Sequence, residues 1–343
     1  FWEGGWRGFV YHSVIGGLEF GHRYSFRASM VDETRNISVR SSGRDFRMVP
    51  KPSPTTGVNV MMTGDWNVGS GMHLNYAMLS RHVREGAVDL AIVVGDHCYA
   101  NGRVQVWDEY TRMLSNFAGS ETVLYTMGVG NHEYNYHRSV PFHTRFALRE
   151  GVPSPKNPWY WSFNVGNIHF SAITVEGDLG EESSLPDVGD QWIWLKNDLE
   201  SVDREETPFV VVFGHRPLYC TVESSRCTKQ AEDWRSRFEP LFIQYQVDLY
   251  VAGHNHNYER TKPLVEGKVD EKNGVTYIVS GTGGAGKTDS WKEPPPEWLV
   301  TRYAEYGYGI LSSTSTKLKW NWYNGTSTDA EIVDSVTIKK LEK

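Results

Sequence analysis

Five short apolar runs of this chain each end in a glycine that is followed at once by a side chain able to bind a metal ion. These junctions are Thr63-Gly64-Asp65, Val94-Gly95-Asp96, Val129-Gly130-Asn131, Phe213-Gly214-His215 and Ala252-Gly253-His254. Side chains that follow parallel strands converge in the crevice beyond the carboxyl ends of a sheet. Glycine at a strand end lets the backbone turn sharply and approach that crevice closely. The repeated junction therefore predicts one polar site at one edge of an α/β core.

The pattern between these junctions supports the same fold class. Continuous apolar runs predict buried strands at residues 58–62, 90–94, 122–125, 209–213, 248–251 and 275–279, and a hairpin at 160–163 and 168–171. Helical spacing predicts helices at residues 75–85, 190–202 and 230–245. Alternating strands return between residues 309 and 338. Strands and helices in this order favour an α/β core whose sheets are covered on their faces.

The first 50 residues have a different pattern, in which apolar and polar positions alternate. Runs of period 2 at residues 9–14, 24–28 and 37–40 predict three antiparallel strands. We interpret them as the C-terminal part of a β-sandwich whose other strands precede Phe1. The proline-rich stretch from Pro50 to Pro54 predicts a stiff connection. The expected domains are therefore residues 1–50, a linker at 51–57 and the α/β unit at 58–343.

Charge and composition bear on the partners and the compartment. The formal net charge of the chain is −7, whereas non-specific nucleic-acid binders are normally basic. No stretch reaches the ~20 apolar residues of a membrane-spanning helix. The triplets that begin at Asn36 and Asn324 match the glycosylation sequon. Cys220 and Cys227 can close a short loop if the compartment is oxidising, which leaves Cys98 unpaired.

The side chains at the five junctions indicate a pair of metal ions. Carboxylate and amide oxygens mixed with imidazole nitrogens suit Zn, Mn or Fe. Together with His256, which follows His254 by two residues, they are too many for one tetrahedral ion and about enough for two. Two ions that share a carboxylate lie ~3.5–4 Å apart and can hold the attacking and leaving oxygens of a phosphoryl displacement.

Two of the junctions continue into longer motifs that carry a family resemblance. Gly95-Asp96-His97-Cys98-Tyr99 and His254-Asn255-His256-Asn257-Tyr258-Glu259-Arg260 resemble the purple acid phosphatases, a family of the calcineurin-like metallophosphoesterase superfamily. Gly214-His215-Arg216-Pro217-Leu218-Tyr219-Cys220 also fits that family. The resemblance covers essentially the whole chain. It implies an α/β sandwich of two mixed sheets flanked by helices, preceded by part of a fibronectin-like β-sandwich.

The resemblance also implies a role for each side chain at the junctions. The implied ligands of an Fe(III) ion are Asp65, Asp96, Tyr99 and His256. The implied ligands of a second, divalent ion (Fe, Zn or Mn) are Asp96, which both ions share, Asn131, His215 and His254. A phenolate at Tyr99 favours a hard trivalent ion and would colour the protein through charge transfer. The three-residue spacing of Asp96 and Tyr99 lets one turn present both groups to the same ion.

The implied reaction is hydrolysis of a phosphomonoester, in which metal-bound water or hydroxide attacks phosphorus directly. His132 is the catalytic candidate that would bind the phosphoryl oxygens or protonate the leaving group. Glu133 is expected to orient its neighbours rather than to carry a proton. Relatives often place histidines after the motif that contains His215, and residues 216–246 contain none. We therefore consider His97 and Tyr219 as further candidates for proton donation.

One stretch matches an unrelated motif. Residues 281–288 read Gly-Thr-Gly-Gly-Ala-Gly-Lys-Thr, which fits the nucleotide-binding P-loop letter for letter. A working P-loop leads directly into a helix whose N-terminus binds the phosphates. Here three prolines at 294–296 follow after a few residues, so a sustained helix is not expected. We interpret the glycines as allowing the backbone to pass close to the metal site.

Other functions remain open at this point. The chain could be a phosphodiesterase or nucleotide hydrolase of the same superfamily, or a binding protein that kept the metal ligands and lost turnover. The expected partners are small phosphorylated substrates, with no nucleic acid, no membrane span and possible homo-oligomers. The resemblance and the sequons imply a secreted glycoprotein or a lysosomal or vacuolar one.

Overall fold

The computed structural model describes residues 10–117, 124–135, 139–146, 159–174, 176, 188–224, 227–326 and 331–340. The helices in these parts of the chain are α1 (Ser70–Arg84), α2 (Val104–Phe117), α3 (Asn131–Tyr134), α4 (Val140–Phe146), α5 (Val188–Ser201) and α6 (Lys229–Gln244). The N-terminal strands are β1 (Arg23–Phe26), β2 (Ser29–Asp32), β3 (Ile37–Arg40) and β4 (Arg44–Arg47).

The remaining strands build two large sheets and one small hairpin. They are β5 (Asn59–Thr63), β6 (Leu90–Val93), β7 (Leu124–Met127), β8 (Trp161–Val165), β9 (Ile168–Ala172), β10 (Phe209–Phe213), β11 (Leu249–Ala252), β12 (Tyr258–Thr261), β13 (Leu264–Val265), β14 (Lys268–Val269), β15 (Thr276–Ser280), β16 (Leu299–Tyr303), β17 (Gly307–Thr314), β18 (Lys317–Asn324) and β19 (Ile332–Lys339). Each predicted strand after residue 58 overlaps one of these, although residues 122 and 123 lie outside the described part of the chain.

Both large sheets mix parallel and antiparallel pairing. The six-stranded sheet has the order β19-β18-β17-β5-β6-β7, in which β5, β6 and β7 are parallel to one another. The seven-stranded sheet has the order β16-β12-β15-β11-β10-β9-β8, in which β9, β10, β11 and β15 are parallel. The strands that precede the five glycine junctions therefore occupy the parallel part of each sheet.

Alternate residues of each central strand face opposite layers, as the pleat requires. In β10, Phe209, Val211 and Phe213 pack into a core to which both sheets contribute. Val210 and Val212 of the same strand pack against α6 instead. Each apolar side chain buried in this way stabilises the fold by about 1.5–3 kcal/mol.

The six-stranded sheet is covered in the same manner. Ile92 of β6 faces the core shared by the two sheets, whereas Ala91 and Val93 pack against Trp107 and Tyr110 of α2. The predicted fold class, two mixed sheets flanked by helices, is confirmed. None of the described helices is both long and apolar enough to cross a membrane.

The N-terminal segment differs from its prediction in one strand that does not form and in two further strands that do. Residues 10–14 do not form the predicted strand, and Phe9 lies outside the described residues. The predicted runs at 24–28 and 37–40 correspond to β1 and β3, which pair antiparallel with β4 and β2, two strands that the pattern did not predict. No strand in the described part of the chain pairs with residues 10–14. A short run of alternating apolar and polar residues does not form a stable strand without a partner.

A disulfide joins Cys220 and Cys227, as the sequence allowed, and Cys98 is a free, buried cysteine. The bridged loop lies directly after the His215 junction. It is tied to the loop that carries His254 and His256, because the side-chain amide of Asn255 donates to Cys227 Sγ at 2.9 Å.

Candidate metal centre

The five glycine junctions meet at one edge of the molecule. β5, β6 and β7 carry Asp65, Asp96 and Asn131 beyond their carboxyl ends, and β10 and β11 carry His215 and His254. The backbone turns immediately after the strand at several of these sites. Asp65, Asp96 and His254 all have positive φ angles, of 59°, 53° and 70°. Non-glycine residues adopt such angles only where the surrounding structure holds them, and such residues cluster at functional sites.

The close approach of the two sheets depends on Gly95. Its φ of +106° lies in a region that other residues rarely adopt, and an added Cβ would lie 2.7 Å from Nδ1 of His215. The strand of one sheet therefore ends in contact with a ligand candidate of the other sheet. A larger side chain at Gly95 would push the two halves of the site apart.

The first half of the site consists of Asp65, Tyr99 and His256. The Tyr99 hydroxyl donates to Asp65 Oδ1 at 2.8 Å and lies 2.8 Å from His256 Nε2. His256 Nε2 lies 3.4 Å from Asp65 Oδ1. Three potential ligand atoms from three different loops thus lie in mutual contact.

The second half consists of Asp96, Asn131, His215 and His254. His215 Nε2 lies 3.2 Å from Asp96 Oδ2 and 3.3 Å from Asn131 Oδ1. Asp96, His215 and His254 each offer one ligand atom, and these three atoms all lie within 4.8 Å of one another. All seven side chains that the sequence nominated as ligands therefore lie in two adjoining groups, which Asp96 and Tyr99 link through one short loop.

The spacing and the chemistry of these atoms fit metal ions. Ligand atoms that share an ion at 2.0–2.2 Å lie roughly 3–3.5 Å apart, which is close to the separations of 2.8–3.4 Å found here. Carboxylate, amide, phenol and imidazole groups form a donor set for first-row transition metals. The residues thus fit a dinuclear metal centre of the kind that the sequence predicts.

The electrostatics of the site also favour a cation. Among the described residues, Asp65 and Asp96 are buried beside histidines, and no lysine or arginine forms an ion pair with either carboxylate. Burial opposes charge on Asp96, yet the neighbouring His215 lowers the pKa of that carboxyl below its ordinary value. Burial and the negative charge of Asp65 raise the pKa of the Tyr99 hydroxyl well above its ordinary value. A bound cation would stabilise all three groups in their anionic forms.

Glu133 holds the loop that carries Asp96. Its carboxylate accepts backbone N–H bonds from Asp96 at 2.8 Å, from His97 at 2.9 Å and from Gly130 at 3.0 Å. Burial and the charge of Asp96 raise the pKa of Glu133, whereas the N–H donors act in the opposite direction. A carboxylate occupied by three backbone donors orients its neighbours, which agrees with the role expected for Glu133.

His132 lies at the rim of the same site. Its backbone N–H donates to Asp96 Oδ1 at 2.8 Å, and its ring lies 4.1 Å from the Tyr99 ring, centroid to centroid. Asn101 Oδ1, which only accepts, lies 2.6 Å from His132 Nδ1. The proton of a neutral His132 is therefore on Nδ1, and Nε2 is on the side of Asp96, 4.0 Å from Oδ2.

The two further candidates for proton donation lie elsewhere. His97 is fully buried, with Nε2 2.8 Å from the carbonyl of Gly128, and burial lowers its pKa to about 4. Tyr219 is buried beneath α6, where its hydroxyl donates to Glu239 Oε1 at 2.7 Å. Both side chains serve packing and internal hydrogen bonds. The proposal that either one donates a proton to a substrate is therefore wrong.

The glycine-rich stretch at 281–288 supports the metal site. No helix follows it. Its backbone N–H groups donate to the ligand loops instead: Ala285 to the carbonyl of Asp65, and Thr288 to the carbonyl of His256, both at 2.9 Å. Lys287 is ion-paired with Glu305 at 2.5 Å. The stretch passes close to the site, as interpreted from the sequence, and its hydrogen bonds to the backbone at Asp65 and His256 are a finding of the structure.

The sequence reasoning missed Arg216 and Glu176. Arg216 directly follows His215, and its Nε and Nη2 donate to the two Glu176 oxygens, both at 2.8 Å. Its Nη1 donates to Gln230 Oε1 at 2.9 Å and lies 3.1 Å from His254 Nε2. Arg216 could have been singled out from the sequence because it directly follows His215, a predicted ligand. Glu176 lies outside every motif, so nothing in the sequence pointed to it.

Comparison with known proteins gives two matches to family models. The calcineurin-like phosphoesterase model matches residues 58–258, and a model described as iron/zinc purple acid phosphatase-like protein C matches residues 274–335. The first of these covers more than half of the chain and includes all seven nominated ligands.

Relatives and solved structures agree with the family models. The chain is 28% identical to purple acid phosphatase 18 of Arabidopsis thaliana over 97% of this chain and 72% of the relative. It is 32% identical to purple acid phosphatase 21 of the same plant, over 75% of this chain and 58% of the relative. A purple acid phosphatase from yellow lupin (Lupinus luteus) seeds has the same fold, with a TM-score of 0.79 and 22% identity. That match covers 94% of this chain and 60% of the lupin chain.

Proposed function

Because the chain belongs to the calcineurin-like phosphoesterase family, we propose that it is a metal-dependent phosphoric monoester hydrolase of the purple acid phosphatase type. The observation that carries the proposal is the group formed by Asp96, His215 and His254, whose ligand atoms lie within 4.8 Å of one another at the meeting edge of the two sheets. Metal analysis combined with rates on mono- and diester substrates tests it. A faster diester reaction would favour the phosphodiesterase alternative, and no turnover by fully metallated protein would favour a binding protein.

We propose that the centre holds Fe(III) together with divalent Fe, Zn or Mn. The residues proposed for Fe(III) are Asp65, Asp96, Tyr99 and His256. The residues proposed for the divalent ion are Asp96, Asn131, His215 and His254. The contacts of Tyr99 with Asp65 and His256, both at 2.8 Å, support a phenolate ligand in the first group. When bound, the two ions supply Lewis-acid polarisation of the phosphoryl oxygens and lower the pKa of water.

The residues of the chain supply orientation and proton transfer. The bond from His132 Nδ1–H to Asn101 fixes the imidazole with Nε2 toward the site. A substrate oxygen that enters between the two halves of the site would meet this nitrogen. Nε2 can give a proton to that oxygen only from the imidazolium form of His132, in which both ring nitrogens are protonated, and the neutral form with its proton on Nδ1 is left behind. The Glu133 carboxylate accepts from the backbone N–H of Asp96 and from that of Gly130 at the start of α3. Asn131 and His132 are therefore held at fixed positions relative to Asp96.

The Tyr99→Phe variant tests the proposed phenolate. We expect the iron-loaded wild-type protein to absorb in the visible and to bleach on reduction, because charge transfer from a phenolate to Fe(III) gives colour. Tyr99→Phe removes the phenol oxygen and should abolish the band while iron content, measured by metal analysis, is retained in part. Tyr323→Phe, at a tyrosine that stacks on Tyr308 outside the site, should keep the band. A coloured Tyr99→Phe protein would contradict the assignment.

The His132→Ala variant tests proton donation to the leaving group. We expect kcat/KM for an alkyl phosphate to fall about 10²–10⁴-fold, the usual contribution of a positioned acid or base. The loss on p-nitrophenyl phosphate should be much smaller, because that leaving group needs no proton. Equal losses on both substrates would instead assign His132 to binding of the phosphoryl oxygens. Unchanged metal content serves as the control.

We propose a secreted, lysosomal or vacuolar location. The disulfide between Cys220 and Cys227 supports an oxidising compartment, where such bonds persist. Asn36, the first residue of one sequon, is exposed between β2 and β3, which suits glycosylation. Glycosidase treatment of the protein from its native source should lower its mass. If the mass did not change, the sequons would no longer support the proposed location. Small phosphorylated compounds are the proposed partners, and oligomerisation stays a prediction.

A further inference from the structure

Arg216 presents a buried positive charge beside a site built for cations. Its side chain is only 14% exposed and lies on the loop that follows β10. Glu176, which is itself buried, accepts Nε–H and Nη2–H, and Gln230 accepts from Nη1. The remaining contact of Nη1 is His254 Nε2, at 3.1 Å. The guanidinium is thus held on two sides and directed at a proposed ligand of the divalent ion.

The bond to His254 has a chemical consequence. A guanidinium nitrogen only donates, so His254 Nε2 accepts and the proton of a neutral imidazole is on Nδ1. A metal ion at Nε2 would take the same lone pair. A metal ion at Nδ1 would place the proton on Nε2, where it would face the Arg216 N–H donor. Metal coordination by His254 and the Arg216–His254 hydrogen bond are therefore mutually exclusive, whichever nitrogen binds the ion.

Loading of the site would therefore free the one N–H of Nη1 that faces His254, while Gln230 still accepts the other. Glu176 would still hold Nε and Nη2 in a two-bond pair, which fixes the plane of the guanidinium. Glu176 balances the charge of Arg216, but the freed N–H still directs its positive end at the divalent ion. That repulsion is strong where water is excluded. The arrangement becomes favourable when an anion lies between the two cations.

We propose that Arg216 is a substrate-binding residue for the phosphoryl group, and that it competes with the divalent ion for His254 in the metal-free protein. This inference rests on the proposed function, because the anion it invokes is the phosphate of the substrate. Arginine suits the role since its planar donors match phosphoryl oxygens. Arg216 lies at the start of residues 216–246, which contain no histidine.

The test measures two affinities of the Arg216→Gln variant against the wild type. The first is the affinity of iron-loaded protein for Zn²⁺, which should rise about threefold or more as the competing bond and the repulsion disappear. The second is the affinity of fully metallated protein for inorganic phosphate, which should fall about 10- to 100-fold, the range for a lost hydrogen bond to a charged group. Calorimetric titration gives both values without turnover. Misfolding would not produce changes in opposite directions.

Arg235→Gln is the matched control. Arg235 is an arginine of α6 that lies over the ring of Tyr219, 4.8 Å from its centroid, and both affinities should stay at the wild-type values in this variant. Arg216→Lys keeps the charge but loses the planar fork, so its phosphate affinity should lie between those of wild type and Arg216→Gln.

The possible outcomes separate this inference from the proposed function. A wild-type protein that binds no pair of ions overturns both. A wild type that binds metal and phosphate, with an Arg216→Gln variant that binds phosphate equally tightly, overturns the inference alone. Weaker Zn²⁺ binding by Arg216→Gln also overturns it, since Arg216 would then be a support for His254 and not a competitor.

Discussion

Asp96→Asn is expected to lower kcat/KM for a phosphomonoester by about a thousandfold or more. Asp96 is the one carboxylate proposed to bind both ions, and it lies buried against His215 at 3.2 Å. An amide cannot supply the second anionic oxygen that a bridging ligand needs. The loss of several kcal/mol of charge stabilisation by the metals corresponds to such a factor. Metal content should fall together with activity, and both are measured on the same preparation.

Asp198→Asn is the control for this prediction. Asp198 is also a largely buried carboxylate paired with a histidine, His169 at 3.1 Å, but it lies on α5. Its replacement should leave metal content unchanged and should alter kcat/KM little at a temperature where the protein is folded. If Asp96→Asn kept two ions and wild-type turnover, the shared-carboxylate arrangement would be wrong.

Gly130→Ala is expected to produce the second largest loss, from the addition of one methyl group. Gly130 is the N-cap residue of α3 and has an extended backbone, so the residue itself is not strained. An added Cβ, however, would lie against Asp96 Oδ1 and 2.5 Å from the Asp96 backbone nitrogen. The start of α3 would have to shift away from Asp96. A displacement near 1 Å at a catalytic site can cost about a hundredfold in rate.

Gly69→Ala provides the matched comparison. Gly69 is likewise an N-cap glycine with an extended backbone, at the start of α1, but its added Cβ would meet no atom closer than Asn67 Nδ2 at 3.4 Å. Activity and divalent-metal content should fall in Gly130→Ala and stay near wild type in Gly69→Ala. Overpacking should also lower the free energy of unfolding of Gly130→Ala by about 1–3 kcal/mol. Equal behaviour of the two variants would show that the close approach at Gly130 is not required.

Much of the α/β unit could be predicted because its central strands have only one favourable environment. The run Phe209–Phe213 is apolar at every position, and such a run is stable only when it is buried on both faces. The hairpin of β8 and β9 was predicted for a different reason, since the sequence indicates a turn at residues 164–167 between two short strands. In the structure the turn is confined to residues 166 and 167. These signals are local and do not depend on the rest of the chain.

The strand β12 (Tyr258–Thr261) could not be predicted in this way. It contains Glu259 and Arg260, yet all four of its residues are buried. Arg260 is buried because Asp334 of β19 accepts its N–H groups at 2.6 and 2.8 Å, from 74 residues away. A charged residue enters a core only when a partner satisfies it. That partner is not visible in a short window of sequence.

The sequence by itself determined which side chains can gather at the site, because five of the seven ligand candidates directly follow a glycine at the end of a recognisable strand. The other two, Tyr99 and His256, lie within three residues of one of those five. Parallel strands of one sheet end at the same edge, so the grouping of Asp65 with Asp96, and of His215 with His254, follows from local pattern and general sheet geometry. Only the tertiary structure decided what surrounds them. It buried His97 away from the substrate side and joined Arg216 to Glu176, which lies 40 residues earlier. Such contacts depend on the path of loops, where no hydrophobic period links the two partners.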